Sequence, residues 1–165
     1  MATHIQLISR LAPTDRKHIF QAIRPITAYK KVYKYPDRKP GDDWLGFWGG
    51  DKVEAIAVLE IPVSALIHVN LYEQDEAHTD GLGNPDKKRF VPLLTDKLRV
   101  SKARVMRIYT ISTGNDLPYA WAHYDKNFIY RVGKMARPRR KFVVSDIDCS
   151  SGLHCYRRRV DALEF

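Results

Sequence analysis

Cysteine is scarce in this chain, with two among 165 residues. Two thiols do not make a disulfide-stapled secreted domain, and the count fits a reducing compartment. Long apolar runs are also missing. None approaches the roughly 18–20 residues needed to cross a bilayer, so no contact with a membrane is expected. The start, Met1-Ala2-Thr3-His4-Ile5-Gln6, has no basic segment leading into an apolar stretch and a small-residue cleavage site. No secretory signal is therefore expected. Neither a P-loop nor a G-x-G-x-x-G fingerprint occurs, which removes the usual phosphate cradles. A G-x-S-x-G elbow is lacking as well, so Ser150-Ser151-Gly152 does not read as a nucleophile turn. There is no internal repeat and no low-complexity tract.

What the chain does have is charge of one sign in one place. Residues 1–96 carry 13 Lys/Arg against 13 Asp/Glu, and residues 97–165 carry 15 against 6. The whole net charge of +9 thus falls in the second part. A field of one sign favours polyanions such as nucleic acid, phosphates or an acidic protein face. A hydrophobic content of 44% over 165 residues suits one domain with a buried core.

Periodicity predicts the elements. Residues 5–23 read as helical: Ile5, Leu7, Ile8 and Leu11 come first, and Pro13-Thr14-Asp15 resembles a helix start with Ile19, Phe20 and Ile23 behind it. Arg24-Pro25 ends that helix. Period-two alternation predicts strands over 27–35, 53–61, 67–72, 103–111, 128–132, 142–144 and 153–156. In 103–111 it sets Val105, Arg107, Tyr109 and Ile111 on one face and Arg104, Met106, Ile108 and Thr110 on the other. Residues 36–51 are turn-rich, 73–89 is a polar loop, and 157–165 starts a short terminal helix. The predicted class is α+β: a single domain over 1–165, with a helical N-terminal segment over 1–25 and a β-rich core over 26–165. The sheet is expected to be mostly antiparallel and twisted, with the exposed loop 73–89 and a short C-terminal helix.

Several constellations bear on chemistry. Cys149, His154 and Cys155 are zinc-type donors, but the second pair of a structural finger is missing and strand alternation separates His154 from Cys155, so no metal site is expected. Cys155 reads as a small buried hydrophobe. Basic clusters stand at Arg137, Arg139, Arg140 and Lys141, at Arg157, Arg158 and Arg159, and in the alternating Arg99, Lys102, Arg104 and Arg107. Tyr109, Tyr119, Trp121, Tyr124, Tyr130 and Tyr156 are interleaved with them. Basic residues supply a salt-dependent phosphate term and aromatic faces stack bases, whereas a plain charge run is a solvated surface. Trp44, Phe47 and Trp48, set among glycines, are either a partner-contact rim or a cover for one end of the sheet.

A set of separated motifs carries a resemblance. Tyr29-Lys30-Lys31-Val32 is followed by Leu59-Glu60-Ile61-Pro62 with Ala65, then by Lys97-x-Arg99 with Lys102-Ala103-x-Val105. Phe128-x-Tyr130-x-x-Gly133 with Pro138 comes next, and Cys149-x-x-Gly152-Leu153-His154-x-Tyr156 with Ala162 closes the set. In this order they resemble an uncharacterised domain family seen in phage genomes and at the ends of bacterial pentapeptide-repeat proteins. The resemblance spans about residue 28 to the end and implies a phage or prophage origin, in a host cytoplasm or a virion. At fold level, an early Tyr-Lys strand and a late Gly-x-His-aromatic strand are also similar to the split sheet of ADP-ribosyltransferases. That likeness implies NAD in a pocket around Tyr29, Lys30 and His154, beside Gly152, with only Glu164 standing late where that fold wants an acid.

The leading expectation is a small basic binding or structural module without catalysis or cofactor. It would contact nucleic acid or an acidic surface on a phage or host protein. Arg137, Arg139, Arg140, Lys141, Arg157, Arg158 and Arg159 would supply charge, and Trp44, Phe47 and Trp48 a second contact. The alternative is an NAD-dependent transferase with its pocket at Tyr29, Lys30 and His154.

Overall fold

The computed structural model describes residues 10–14, 19–42, 51–69, 71–74, 89–92, 97–142 and 151–164. Within them the chain runs through β1 (Leu11–Pro13), β2 (Ile19–Ala22), β3 (Ile26–Lys34), β4 (Val53–Ile61), β5 (Leu66–Val69), β6 (Leu71–Gln74) and β7 (Arg89–Pro92). Then follow β8 (Lys97–Val100), β9 (Ala103–Thr110), β10 (Tyr119–Trp121), β11 (Ile129–Arg131), β12 (Met135–Ala136), β13 (Leu153–Tyr156) and the helix α1 (Arg159–Glu164). Every pairing among them is antiparallel. The main sheet has the order β1-β2-β5-β8-β13-β3-β4-β9-β12, with β10 joining β3 and β11, while β6 and β7 form a separate ribbon.

The spine is β3–β4, a nine-residue ladder from Ile26↔Ile61 to Lys34↔Val53. Alternation in β3 sends Ile26, Ala28 and Val32 into the core. Tyr29 goes to the opposite face, where α1 packs with Ile56, Tyr156 and Ala162. Residues from β2, β3, β4, β5, β8, β9, β12 and β13 share one apolar cluster, so the sheet curls around it. Burying both faces of β4 over Ala55–Leu59 is what gives that strand its continuous apolar run.

The expected N-terminal helix is absent from the described residues, and the α+β class with it. The protein is sheet-rich. Where the helix was expected, β1 and β2 form a hairpin, with Leu11↔Ala22 and Pro13↔Phe20 in register. The Thr14 hydroxyl, read from sequence as part of a helix start, donates to Ile19 O at 2.7 Å and closes the hairpin instead. A short isolated helix is marginal in water. Here β2 also gains β5 as a neighbour, through Ile19↔His68 and Phe20↔Ile67. That long-range pairing outweighs a helical spacing of apolar residues.

Two further expectations change. The flanks of the 73–89 loop are paired strands, with Gln74↔Arg89 in register, and residues 75–88 lie outside the described set. In β9 the two faces do not alternate through. Val58 pairs Arg107 while Leu59 pairs Val105, so Met106 is an extra, bulged residue. The bulge lets Val105 and Ile108 both reach the core while Arg107 points out. The short C-terminal helix is present as α1.

Candidate functional site

The β3–β4 ladder occupies one edge of β3 along its whole length. On the other edge β13 joins only at Tyr29↔Tyr156 and β10 only at Tyr33↔Trp121. The two neighbours part between these points, and no described strand lies across from Lys30 to Val32. A cleft of about 970 Å³ opens at this split. Lys30 and Lys31 lie at its base, with Lys97 of β8 beside them. One wall is Ser151, Gly152, Leu153, His154 and Tyr156, leading into and along β13. The other is the connection between β10 and β11, with His123, Tyr124, Asp125 and Phe128, joined by Tyr130 of β11. Pro138, Arg139 and Arg140 complete the lining.

Lys30 holds the central position. It follows Ala28 and precedes Val32 on the core-facing side of β3, where an apolar side chain is the rule. Its Nζ donates to His154 O at 2.7 Å, spanning the gap that the diverging backbones leave. Burial pulls its pKa from 10.5 down to about 8; Cys155 opposes this, and Lys97 adds a smaller push in the same direction as burial. Cys155 is buried in the core and its thiol is pushed up to about 12, again by burial. His123 is held below its ordinary value by burial and by the nearby Lys126, Lys52, Lys30 and Lys31. It therefore stays largely neutral at pH 7.

Charge in the cleft is lopsided. Lys30, Lys31, Lys97, Arg139 and Arg140 face a single lining carboxylate, Asp125, which Arg139 holds at 3.3 Å. Lys31 pairs with Glu54 at 3.2 Å. Among the described residues no carboxylate pairs with Lys30, Lys97 or Arg140. Tyr124, 89% exposed, stands at the rim and meets the His123 ring edge-on, with centroids 4.6 Å apart.

The wall at Gly152 is built from beneath. Arg99, expected on a basic surface, is 2% exposed. It donates to Ser151 O at 2.8 Å and lies 5.1 Å from the centre of the Phe142 ring. Its aliphatic stem fills the space where a Cβ on Gly152 would stand, and Gly152 has φ +153°. Ser151 in turn donates its hydroxyl to Lys141 O, tying the Arg139–Lys141 segment to this wall.

The two basic clusters have different fates. Arg139 and Arg140 line the cleft, and Arg137 and Lys141 are exposed beside them in sequence. Arg158 grips the buried Asp161 with two hydrogen bonds of 2.7 Å. Arg159 donates to Tyr109 Oη at 2.9 Å, on β9. Arg157 is half-buried. Arg104 is exposed and Arg107 pairs with Asp116 at 2.6 Å. Of the three pocket residues, Lys30 and His154 share the cleft, while Tyr29 packs on the opposite face near α1. Trp44, Phe47, Trp48 and Cys149 lie outside the described residues. Among the described residues no three metal-type donors gather, and no helix is long and apolar enough to cross a membrane.

Sequence reasoning missed Lys97 and the 123–125 segment as cleft residues. One signal pointed to the cleft: a lysine at a core-facing position between Ala28 and Val32. Tyr124 stood out only as one of six aromatics interleaved with the basic clusters, and nothing in the chain marks His123 or Asp125 apart from their polarity between two strands.

Fold and site together define a sheet-rich domain split along its central strand, with a basic cleft in the split. The chain belongs to a family of unknown function (DUF5758), whose model matches residues 15–162. Neither the curated proteins nor the solved structures contain a match to it.

Proposed function

We propose that this domain is a binding module for a phosphate-bearing, ring-containing ligand, such as the end of a nucleic-acid strand, held in the cleft along β3. The observation that carries this reading is the excess of cations lining the cleft, with Lys30, Lys97 and Arg140 unmatched by carboxylates among the described residues. Tyr124 at the rim offers an aromatic face for a base. Such a module fits a phage or prophage protein, or a domain appended to pentapeptide repeats, working in a host cytoplasm or within a virion. Arg137 and Lys141 extend the same basic segment.

Fluorescence anisotropy of a 5′-phosphorylated single-stranded oligonucleotide tests it. Affinity is expected to fall steeply with salt, with a slope shallower by about 0.7 for each phosphate contact removed. The double variant Arg139→Ala/Arg140→Ala should weaken binding about tenfold or more. Binding that ignores both salt and this variant overturns the reading. An acidic protein partner would instead give no oligonucleotide binding at any salt.

One observation favours a second reading, NAD-dependent transfer: Lys30, Gly152 and His154 share one cleft at a split in the sheet. The cations suit a pyrophosphate. Against it, Asp125 is the lone lining carboxylate and is tied to Arg139, while Glu164 is exposed on α1. Nicotinamide release from NAD, lost in His154→Ala with the fold intact, separates the two readings.

A further inference from the structure

We propose that Lys30 is a reactive amine, and that the cleft takes a small aldehyde or ketone bearing an anionic group, which Lys30 binds covalently as an imine. The inference rests on the anion-binding reading of the cleft and adds the chemistry at its base.

Four observations meet at this residue. Lys30 lines an open cleft, so a small molecule can approach it. Its ammonium donates to a neutral carbonyl, His154 O at 2.7 Å, and has no ion-pair partner among the described residues. Lys97, Arg139 and Arg140 stand in the same lining, ready to hold phosphate or carboxylate. Finally, burial holds the amine at a pKa of about 8. At pH 7 about a tenth of such an amine is free base, against about three in ten thousand for an ordinary lysine. Desolvation beside other cations is a recognised way to make a lysine nucleophilic.

The step balances without an oxidant or reductant. The ammonium first gives its proton to water. The free amine attacks the carbonyl carbon, a C–N bond forms and the carbonyl oxygen becomes a hydroxyl. That oxygen leaves as water with loss of the second amine hydrogen, and a C=N bond remains. Water reverses the sequence. Exposed lysines such as Lys39 and Lys134 have the same chemistry open to them, but they lie outside the cleft and away from the cations that line it.

Pyridoxal 5′-phosphate, used below one equivalent and fixed with borohydride, is the probe. It carries an aldehyde, a ring and a phosphate. Peptide mass mapping should place the label on Lys30 at least about tenfold faster than on any other lysine at pH 7. Inorganic phosphate should slow it, and pyridoxal without the phosphate should react more slowly at Lys30. Lys30→Arg, which keeps the cation, and Lys30→Met, which keeps the volume, should both lose the fast phase while retaining the native circular dichroism.

Label spread evenly over exposed lysines, at a rate unchanged in Lys30→Arg, overturns the imine. If the oligonucleotide still binds in that case, the anion-binding reading survives alone. Fast labelling of Lys30 by pyridoxal and its phosphate alike, unaffected by inorganic phosphate, overturns the anionic requirement.

Discussion

At the scale of single residues, the protein places a cationic side chain where an apolar one would be more stable. Lys30 sits at a core-facing position of β3, its charge offset by one carbonyl. Its folded pKa, about 8, lies below its unfolded value near 10.5. Between these two values the unfolded chain binds a proton that the folded one has lost, so stability rises with pH across that window and is flat below about pH 8. Lys30→Met removes this titration. The unfolding free energy of the native protein, measured relative to Lys30→Met by urea titration, is therefore expected to rise by about 3 kcal/mol from pH 7 to pH 10.5. Tyr130, shifted upward by burial, titrates in the two proteins alike and cancels; Cys155, raised chiefly by burial and lowered by a smaller effect of Lys30, cancels in large part. A flat difference across the window would mean that the lysine is solvated in the native state.

At the scale of elements, the sequence was legible where a strand pairs along its full length. The strand predicted over 53–61 is β4 residue for residue, and that over 153–156 is β13, because Pro62 closes the first and Gly152 opens the second. It was illegible where pairing is short or decided from afar. β10 and β12 have three and two residues, too few for a period; β10 is held by β11 and by β3, and β12 by β9. The β1–β2 hairpin carries helical spacing and is strand only because β5 lies alongside. The bulge at Met106 is equally a product of register with β4. The cleft depends on the same kind of fact, since the parting of β13 from β10 along β3 leaves no local mark. Gly152, at the entry to β13, is where a substitution tests the wall. An added Cβ would overlap the Arg99 stem, approach Phe142 at 3.3 Å and sit at φ +153°. Gly133 has φ +78° but open space around it. Gly133→Ala should cost about 1 kcal/mol from backbone strain alone. Gly152→Ala should cost clearly more, about 2–3 kcal/mol, because buried side chains must move as well. Equal midpoints in a urea titration of the two variants would show that the wall is not packed as described.

At the scale of the whole molecule, charge counted along the chain and charge in space are different quantities. By sequence, residues 1–96 are neutral and the rest carry +9. Folding draws Lys30 and Lys31 from the neutral part to meet Lys97, Arg139 and Arg140 from the basic part in one cleft. It spends Arg158 on Asp161 and Arg107 on Asp116, which removes part of the excess from the exterior field. The basic character was thus readable from composition, and its focus was not. A curled sheet whose central strands share one main cluster should also unfold as one unit, since most of its buried apolar residues lie in that cluster.

That cooperativity can be timed from inside, because the molecule carries its own stopwatch. Cys155 is fully enclosed, midway along β13, and its thiol resists ionisation. In a Cys149→Ser background it would be the sole sulfhydryl, and iodoacetamide can capture it only when the interior comes apart. The alkylation rate, extrapolated to zero denaturant, should match the rate expected from the global unfolding free energy. Capture much faster than that would reveal a partial opening in which β13 peels away from β3 and β8 while the remaining strands stay folded.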